Sequence, residues 1–436
     1  MIDDLPTIGE LEANTARLAV DSRVQITPVG KSRLGRTIDM ITIGEGDRDA
    51  LITGTPHPNE PIGAATIERM ISLLLADPSA RRGYRWHFIK AIDPDGLALN
   101  EGWLKGPRTL TRYFENFFRP ALHRQPDTTF PFEMEDMAFA QSMPENEAWQ
   151  RAFALTRPSL HASLHNCDFG GAFHCLSRAL PGAVPGLEAL LGETGVGVND
   201  LDGGIFAAER WASGITRYPS VPELVAKARA VGAAWADPWL FGEMSPGFGE
   251  AVYQTLTIIP EAPLWDAPTL HSDAPSGVSL RDHQSLLEQI ARRANEFALR
   301  HAERLATAEL SVDAQECLWA IEGSLSMMHA SDAGEEIEPD DADSILTLRA
   351  FETLHSQQAL FVLRTYALFL RLANLILVDA PGNDAALNTR REAREALWLE
   401  LAVIEGRTQF SPVPLGVTTG FQMNSVFVCA EALARA

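Results

Sequence analysis

Cysteine is scarce in this sequence. The four present, Cys167, Cys175, Cys317 and Cys429, form no C-x-x-C pair and no spacing that reads as a disulfide framework. A disulfide-stapled module is thereby excluded. Positive charge is short as well: 36 Lys and Arg stand against 58 Asp and Glu, a formal net charge of -22. Such a surface repels phosphate backbones and anionic lipid, which excludes nucleic acid and membrane surfaces as partners. The first thirty residues lack a basic start followed by an apolar run, so no signal peptide is expected and a reduced, cytoplasmic protein is. There is no internal repeat. The longest apolar stretch, ALFVLRTYALFLRLANLILV over 359–378, is interrupted by Arg364, Arg371 and Asn374. Each mid-membrane Arg costs about 2.5–3.5 kcal/mol on insertion scales. Arg364 and Arg371 share one helix face, so the stretch reads as a buried bundle helix of a soluble protein with one polar stripe.

What is present is apolar mass. With 436 residues and 46% hydrophobic composition, the chain can bury a sizeable core and hold a large domain plus a second unit. It is organised around Gly54 to Ala64, GTPHPNEPIGA. The apolar run Ala50-Leu51-Ile52-Thr53 before it reads as a buried strand, and Ala64 to Leu75 after it has helical spacing. His57 and Glu60 therefore sit at the carboxyl end of a strand, in the turn that opens a helix, where open α/β sheets place their chemistry. Imidazole and carboxylate three apart can converge on one cation, and a catalytic zinc takes three protein ligands and leaves one position for water. Taken alone the motif is short, and a solvated surface turn would also account for it.

Along the rest of the chain, residues 7–20 form a short amphipathic helix. Val24 to Val29 and Ile38 to Ile43 form a hairpin through GKSRLGRT. Trp86 to Ile92 is a strand that breaks at Asp93-Pro94-Asp95-Gly96, read as a turn. Residues 97–145 lack periodicity but mix Arg108, Arg112, Arg119 and Arg124 with aromatics, and are expected to form a structureless wall of the site. Ser159 to Leu164 is a strand whose alternation puts His161, Ser163 and His165 on one face, His165 at its end. His161 reads as a core histidine, while His174 and Cys167 remain possible ligands. Helices follow near 184–194 and 220–236. A strand over Val252 to Ile259 then ends at Pro260-Glu261-Ala262-Pro263, where the prolines fix the backbone around Glu261. From about residue 280 the pattern turns helical over 281–307, 309–330, 344–378 and 385–405, with an acidic connection at 334–344 and a last helix in the tail.

His57, Glu60, His165 and Glu261 all lie at carboxyl ends of strands. In order and chemistry this set resembles the carboxypeptidase A-like zinc metallopeptidases, whose pattern is H-x-x-E, a distant third ligand His, then a catalytic Glu ending a late strand. The context GKSRLGRTI, the G-x-x-HPNEP-x-G run, IDPDG, SLHN over 163–166 and TLTIIPEAP match in the same order, over residues 20–265. The resemblance implies an α/β fold, a mixed, mostly parallel twisted sheet flanked by helices, in a catalytic domain over 1–275. The unmatched residues 280–436 are read as a helical region packed on that core, since no Gly/Ser/Pro-rich tether separates them. It also implies one zinc per chain held by His57, Glu60 and His165, the His₂Glu set known for carboxypeptidase A. Glu261 would be the general base for zinc-activated water, and an arginine, Arg112 or Arg108, would complete the oxyanion site.

One departure bears on the substrate. Carboxypeptidases of this family hold the terminal carboxylate with an adjacent Asn-Arg pair, and here the nearest arrangement is Asn116 with Arg119, three apart in ENFFRP. Arg108 and Arg112 are alternatives for carboxylate or oxyanion. Tyr253, placed within a strand, is not assigned to the family's lid. The expected activity is removal of a C-terminal residue from a peptide or peptide-like substrate. A zinc amidase or deacylase of small N-acyl amino acids, and a silent binding protein, are the alternatives, and the oligomeric state is left open.

Overall fold

The computed structural model describes residues 4–134, 137–199, 209–230, 242–305, 310–332 and 343–436. The acidic connection at 334–344 lies almost wholly outside them, as does the end of the helix read over 220–236.

Helix α1 (Ile8–Leu18) opens the chain on a capping box in which Thr7 and Glu10 satisfy each other's amides. A hairpin follows, β1 (Val24–Lys31) against β2 (Thr37–Ile43). Strand β3 (Arg48–Gly54) then leads through the His57 turn into α2 (Ile62–Ala76). Ala50 and Ile52 pack on the α2 side of the sheet, whereas Leu51 packs on the other side with Trp149 and Phe153. That two-sided burial is why the strand reads as a continuous apolar run.

Strand β4 (Tyr84–Ile89) is followed by Asp93, and here the structure differs from the turn read at Asp93-Pro94-Asp95-Gly96. Asp93 accepts from the Gly96 amide and Pro94 takes the first helical position, so the segment starts helix α3 (Pro94–Leu104). Helix α4 (Leu110–Glu115) follows. The expected structureless wall thus carries two helices. Alpha-helical periodicity is faint in α3 because Pro94 and Asp95 are buried on other faces than Leu97, Asn100 and Trp103, so burial runs around much of its circumference.

Helix α5 (Pro144–Thr156) crosses the sheet and feeds β5 (Leu160–Leu164), followed by β6 (Phe173–Leu176) and α6 (Val184–Glu193). Then come β7 (Glu209–Ala212), β8 (Ile215–Arg217), α7 (Val221–Ala230), α8 (Ser245–Tyr253) and β9 (Leu256–Glu261). Val252 and Tyr253 close α8 rather than opening the strand. Gln254 then takes a left-handed conformation, with φ of 57°, and separates the two elements. Tyr253 stacks on Phe153 in the core at 5.9 Å.

Nine strands form one mixed sheet, in the order β1-β2-β4-β3-β5-β9-β6-β8-β7. Its centre, β4-β3-β5-β9, is parallel, and both flanks bring antiparallel pairs. The parallel centre aligns the carboxyl ends of β3, β5 and β9, and those three ends carry His57, His165 and Glu261.

Beyond the sheet run α9 (Leu280–Leu305), α10 (Val312–Asp332), α11 (Leu348–Asp379), α12 (Asp384–Arg407) and α13 (Leu415–Arg435). Helix α13 lies on α2, with Phe427 against Trp86 and the Tyr84 hydroxyl on the Ala430 carbonyl. Helix α11 is long and apolar enough to cross a membrane, but most of that stretch is buried inside the protein, as in a core helix. Arg364 and Arg371 face protein. Arg364 pairs with Asp168 at 3.1 Å, and Arg371 donates to the carbonyls of Phe117, Leu99 and Asn116.

Candidate metal centre

The His57 turn is fitted against β5 by a glycine. A Cβ on Gly63 would stand 2.7 Å from the Leu164 carbonyl oxygen, so only glycine lets the start of α2 lie on the end of β5. The α2 amino terminus has no side-chain cap of its own, and the Ile62 amide instead donates to Asn166, the residue after His165, at 3.4 Å. In return the Asn166 amide donates to Glu60 at 3.3 Å. The two candidate ligand loops are thus stitched to each other.

His57 and His165 meet edge to face, with ring centroids 4.9 Å apart. His165 stands among three carboxylates. Its Nδ1 is 3.0 Å from Glu60 and 3.8 Å from Glu261, while its Nε2 is 3.5 Å from Asp127 and 3.0 Å from the Ser163 hydroxyl. Glu60 is also 2.8 Å from Arg119 through its other oxygen. His57, Glu60, His165 and Asp127 are all buried.

The electrostatics follow from this crowding. Burial, and then the charge of Arg119, holds His57 well below its usual range, so it is a neutral imidazole, the form a metal ligand requires. Burial would lower His165 too, but Glu60, Asp127 and Glu261 outweigh it and push that imidazole up to about 10. Although burial opposes it, the neighbouring imidazoles and Arg119 hold the Glu60 carboxylate below the usual range. Burial above all pushes Glu261 up to about 8, with His165 pulling against it.

Do these residues fit a cation? Nδ1 of His57 and Oε2 of Glu261 are buried and have no hydrogen-bond partner, an arrangement costly unless something else satisfies them. Imidazole nitrogen and carboxylate oxygen are the donors zinc accepts. His57, Asp127 and His165 each present a donor atom within 4.8 Å of the other two. The donor set fits.

Asp127 had no sequence signal. It sits in a short 3-10 turn, Pro126–Thr128, inside the aperiodic stretch, and only its acidity after a proline marked it. His161 is a core histidine, bonded to Thr257 at 3.2 Å and packed on Trp149 and Phe153. His174 bonds to Ser425 at 2.8 Å, and Cys167 donates to the Gly171 carbonyl. Of the other substrate candidates the structure brings only Arg119 to the centre. Arg108 donates to the Val413 carbonyl, Arg112 to the Gly102 carbonyl, and Asn116 to the Arg112 carbonyl. Their helix and loop contacts turn those three side chains away from His57 and His165.

Residues 13–160 match the model of a family described as zinc carboxypeptidase. The resemblance carried by the motifs is borne out. The zinc carboxypeptidase match includes His57 and Glu60 and stops short of His165 and Glu261. No curated protein matches in sequence. Among solved structures, the chain is similar to a metallo-carboxypeptidase from Burkholderia cenocepacia, at 14% identity over 58% of this chain and 60% of that one, with a TM-score of 0.36. A putative metallopeptidase from Shewanella amazonensis SB2B is 14% identical over 59% and 83%, with a TM-score of 0.38. Carboxypeptidase A from Helicoverpa armigera is 16% identical over 61% and 66%, with a TM-score of 0.38. The chain spans about three fifths of the Burkholderia cenocepacia enzyme.

Proposed function

We propose that the protein is a zinc-dependent metallocarboxypeptidase that removes the C-terminal residue of a peptide or peptide-like substrate. The observation that carries the reading is the Nδ1 side of His165. On that side Glu60 stands at 3.0 Å and Glu261 at 3.8 Å, and the His57 ring, its Nδ1 without a partner, lies edge to face with His165 at 4.9 Å.

On this reading one zinc is held by His57, Glu60 and His165. A ligating imidazole gives its other nitrogen to an orienting acceptor, and Asp127 with Ser163 supplies that role on Nε2 of His165. The alternative set replaces Glu60 by Asp127 and leaves Glu60 to orient. When bound, zinc polarises the scissile carbonyl and makes water acidic enough to ionise near pH 7. Glu261 takes the proton from the attacking water on a carboxylate oxygen and delivers it to the leaving nitrogen. A cation beside Glu261 pulls its carboxyl back down from the range that burial imposes. Arg119, the arginine at the centre, offers planar N–H donors to a substrate carboxylate or to the developing oxyanion.

That Arg108 and Arg112 are engaged elsewhere favours one second reading, an amidase or deacylase of small N-acyl amino acids, in which no terminal carboxylate clamp is needed. Free cysteines support a reduced, cytoplasmic setting as part of the proposal. The test is hydrolysis of matched peptides with a free or an amidated C-terminus by the zinc-loaded protein, before and after chelation. Release of one C-terminal residue from the free acid alone, lost with zinc, is expected. Equal cleavage of both peptides would discard the exopeptidase reading.

A further inference from the structure

The C-terminal helices carry none of the candidate catalytic set, yet two of their side chains end beside it. Gln422, midway along α13, is fully buried. Its Nε2 donates to the His165 carbonyl at 2.5 Å and lies 3.4 Å from the Pro260 carbonyl. Its Oε1 accepts the Thr66 hydroxyl at 2.6 Å. A primary amide has two N–H donors and one carbonyl acceptor, and here each is directed at a different element. The amide can face no other way, because both main-chain carbonyls only accept.

One side chain therefore ties together His165, the residue before Glu261, and the helix that follows Glu60. The sheet alone does not: the β5–β9 ladder ends at Ala162 and Ile258, and at His165 the main chain adds the Ala262 amide at 3.4 Å. Neighbouring positions on the helix, Phe421, Met423 and Val426, are apolar and buried. A polar residue in their midst costs desolvation unless its partners are matched, and these are.

Arg364 of α11 reaches the same loops from a different direction. It pairs with Oδ2 of Asp168 at 3.1 Å, Oδ1 of Asp168 accepts the Tyr113 hydroxyl at 2.8 Å, and the Asn59 amide donates to Tyr113 at 3.2 Å. Asn59 lies between His57 and Glu60, and Asp168 lies just past His165. Asn59, Tyr113 and Asp168 are all buried.

We propose that Gln422 and Arg364 are positioning residues that set the spacing of His57, Glu60, His165 and Glu261, which makes the helical C-terminal region a component of the site. This rests on reading that site as a metal centre. Removing partners that orient metal ligands costs roughly 10–100-fold in metal affinity.

The test uses the full chain. Zinc affinity is measured by competition with a chelator, and the visible absorption bands of the cobalt-loaded protein report ligand geometry independently of turnover. Gln422→Met keeps the length and removes all three hydrogen bonds, and Arg364→Lys keeps the charge without the fork. Each is expected to lose about 10–100-fold in zinc affinity and to shift the cobalt bands while its far-ultraviolet circular dichroism matches wild type. Unchanged affinity and bands in folded variants overturn the proposal. Should Gln422→Met not fold, Thr66→Val deletes a single hydroxyl of the same network and decides the matter: shifted bands sustain the proposal, unshifted bands overturn it. A wild-type protein that takes up neither zinc nor cobalt removes the metal reading and this inference together. Wild-type uptake with indifferent variants removes this inference alone.

Discussion

Arg119 and His165 share one carboxylate: Oε1 of Glu60 is 2.8 Å from the guanidinium, and its Oε2 is 3.0 Å from Nδ1 of the imidazole. Arg119 is thereby fixed beside the candidate zinc position with N–H groups to spare, since a guanidinium carries five. Arg119→Ala is expected to cost about 1.5–3 kcal/mol in kcat/KM for a peptide with a free C-terminus, the scale of a charge-assisted hydrogen bond. The ratio of free-acid to amide cleavage is the quantity to read, because it cancels any damage to Glu60. A ratio that survives in Arg119→Ala would pass the role to Arg108 or Arg112, which would then have to leave Val413 and Gly102.

Glu60 and Asp127, on opposite ring nitrogens of His165, are separable by metal content. Ala in place of His57, Glu60 or His165 should abolish tight zinc binding, whereas Asp127→Ala should weaken it by about 10–100-fold, as expected for an orienting partner. The reverse order, with zinc lost in Asp127→Ala and kept in Glu60→Ala, would exchange ligand and orienter.

Binding and chemistry separate at Glu261. Glu261→Gln should retain zinc and its melting temperature but lose about 10²–10⁴-fold in kcat, the range of general-base catalysis. Near-normal hydrolysis by this variant would make the carboxylate structural.

A pH effect on stability is expected away from the metal. Oε1 of Glu145 accepts the amide of Arg33 at 2.8 Å and its Nε at 3.1 Å, while Oε2 is buried without a partner. Burial, opposed by Arg33 and reinforced by Asp93, pushes this carboxyl up to about 7. An ordinary Glu in the unfolded chain titrates near about 4.3. Between those values the folded state holds a proton that the unfolded chain has released, so this group's contribution is full at low pH and falls as pH rises towards 7. Glu145→Gln, whose amide oxygen can still accept from Arg33, should therefore gain in melting temperature relative to wild type between pH 4.5 and 8. A difference that is flat with pH would count against a raised carboxyl.

Truncation tests how far the helices are needed. A chain ending near residue 280 loses the α13 face that covers α2 and Trp86, and should be insoluble or strongly destabilised. A soluble and active 1–280 fragment would make the helices an independent module.

What the sequence disclosed and what it hid divide along one physical line. His57, His165 and Glu261 were legible because each closely follows an apolar run, whose end strand alternation plus Gly and Pro punctuation locates, and Glu60 by its spacing from His57. Helix α3 was hidden because it is buried on several faces, and Val252 and Tyr253 passed for strand because a short apolar pair fits either period. Asp127 lies in a turn with no periodicity. Arg364 was visible as part of a polar stripe, but its partner Asp168 lies far back in the chain, and no local pattern records such a pairing. Gln422 was hidden for the same reason.

The proposed role of Gln422 implies an order of events during synthesis. A peptidase whose working geometry depended only on its first 265 residues could begin cutting while the rest of its own chain was still emerging. Here the clasp on the His165 and Pro260 carbonyls comes from α13, so on the proposed role of Gln422 a chain ending before residue 415 should bind zinc weakly. Purified chains ending at residue 414 and at residue 436, compared for retained metal, should differ sharply.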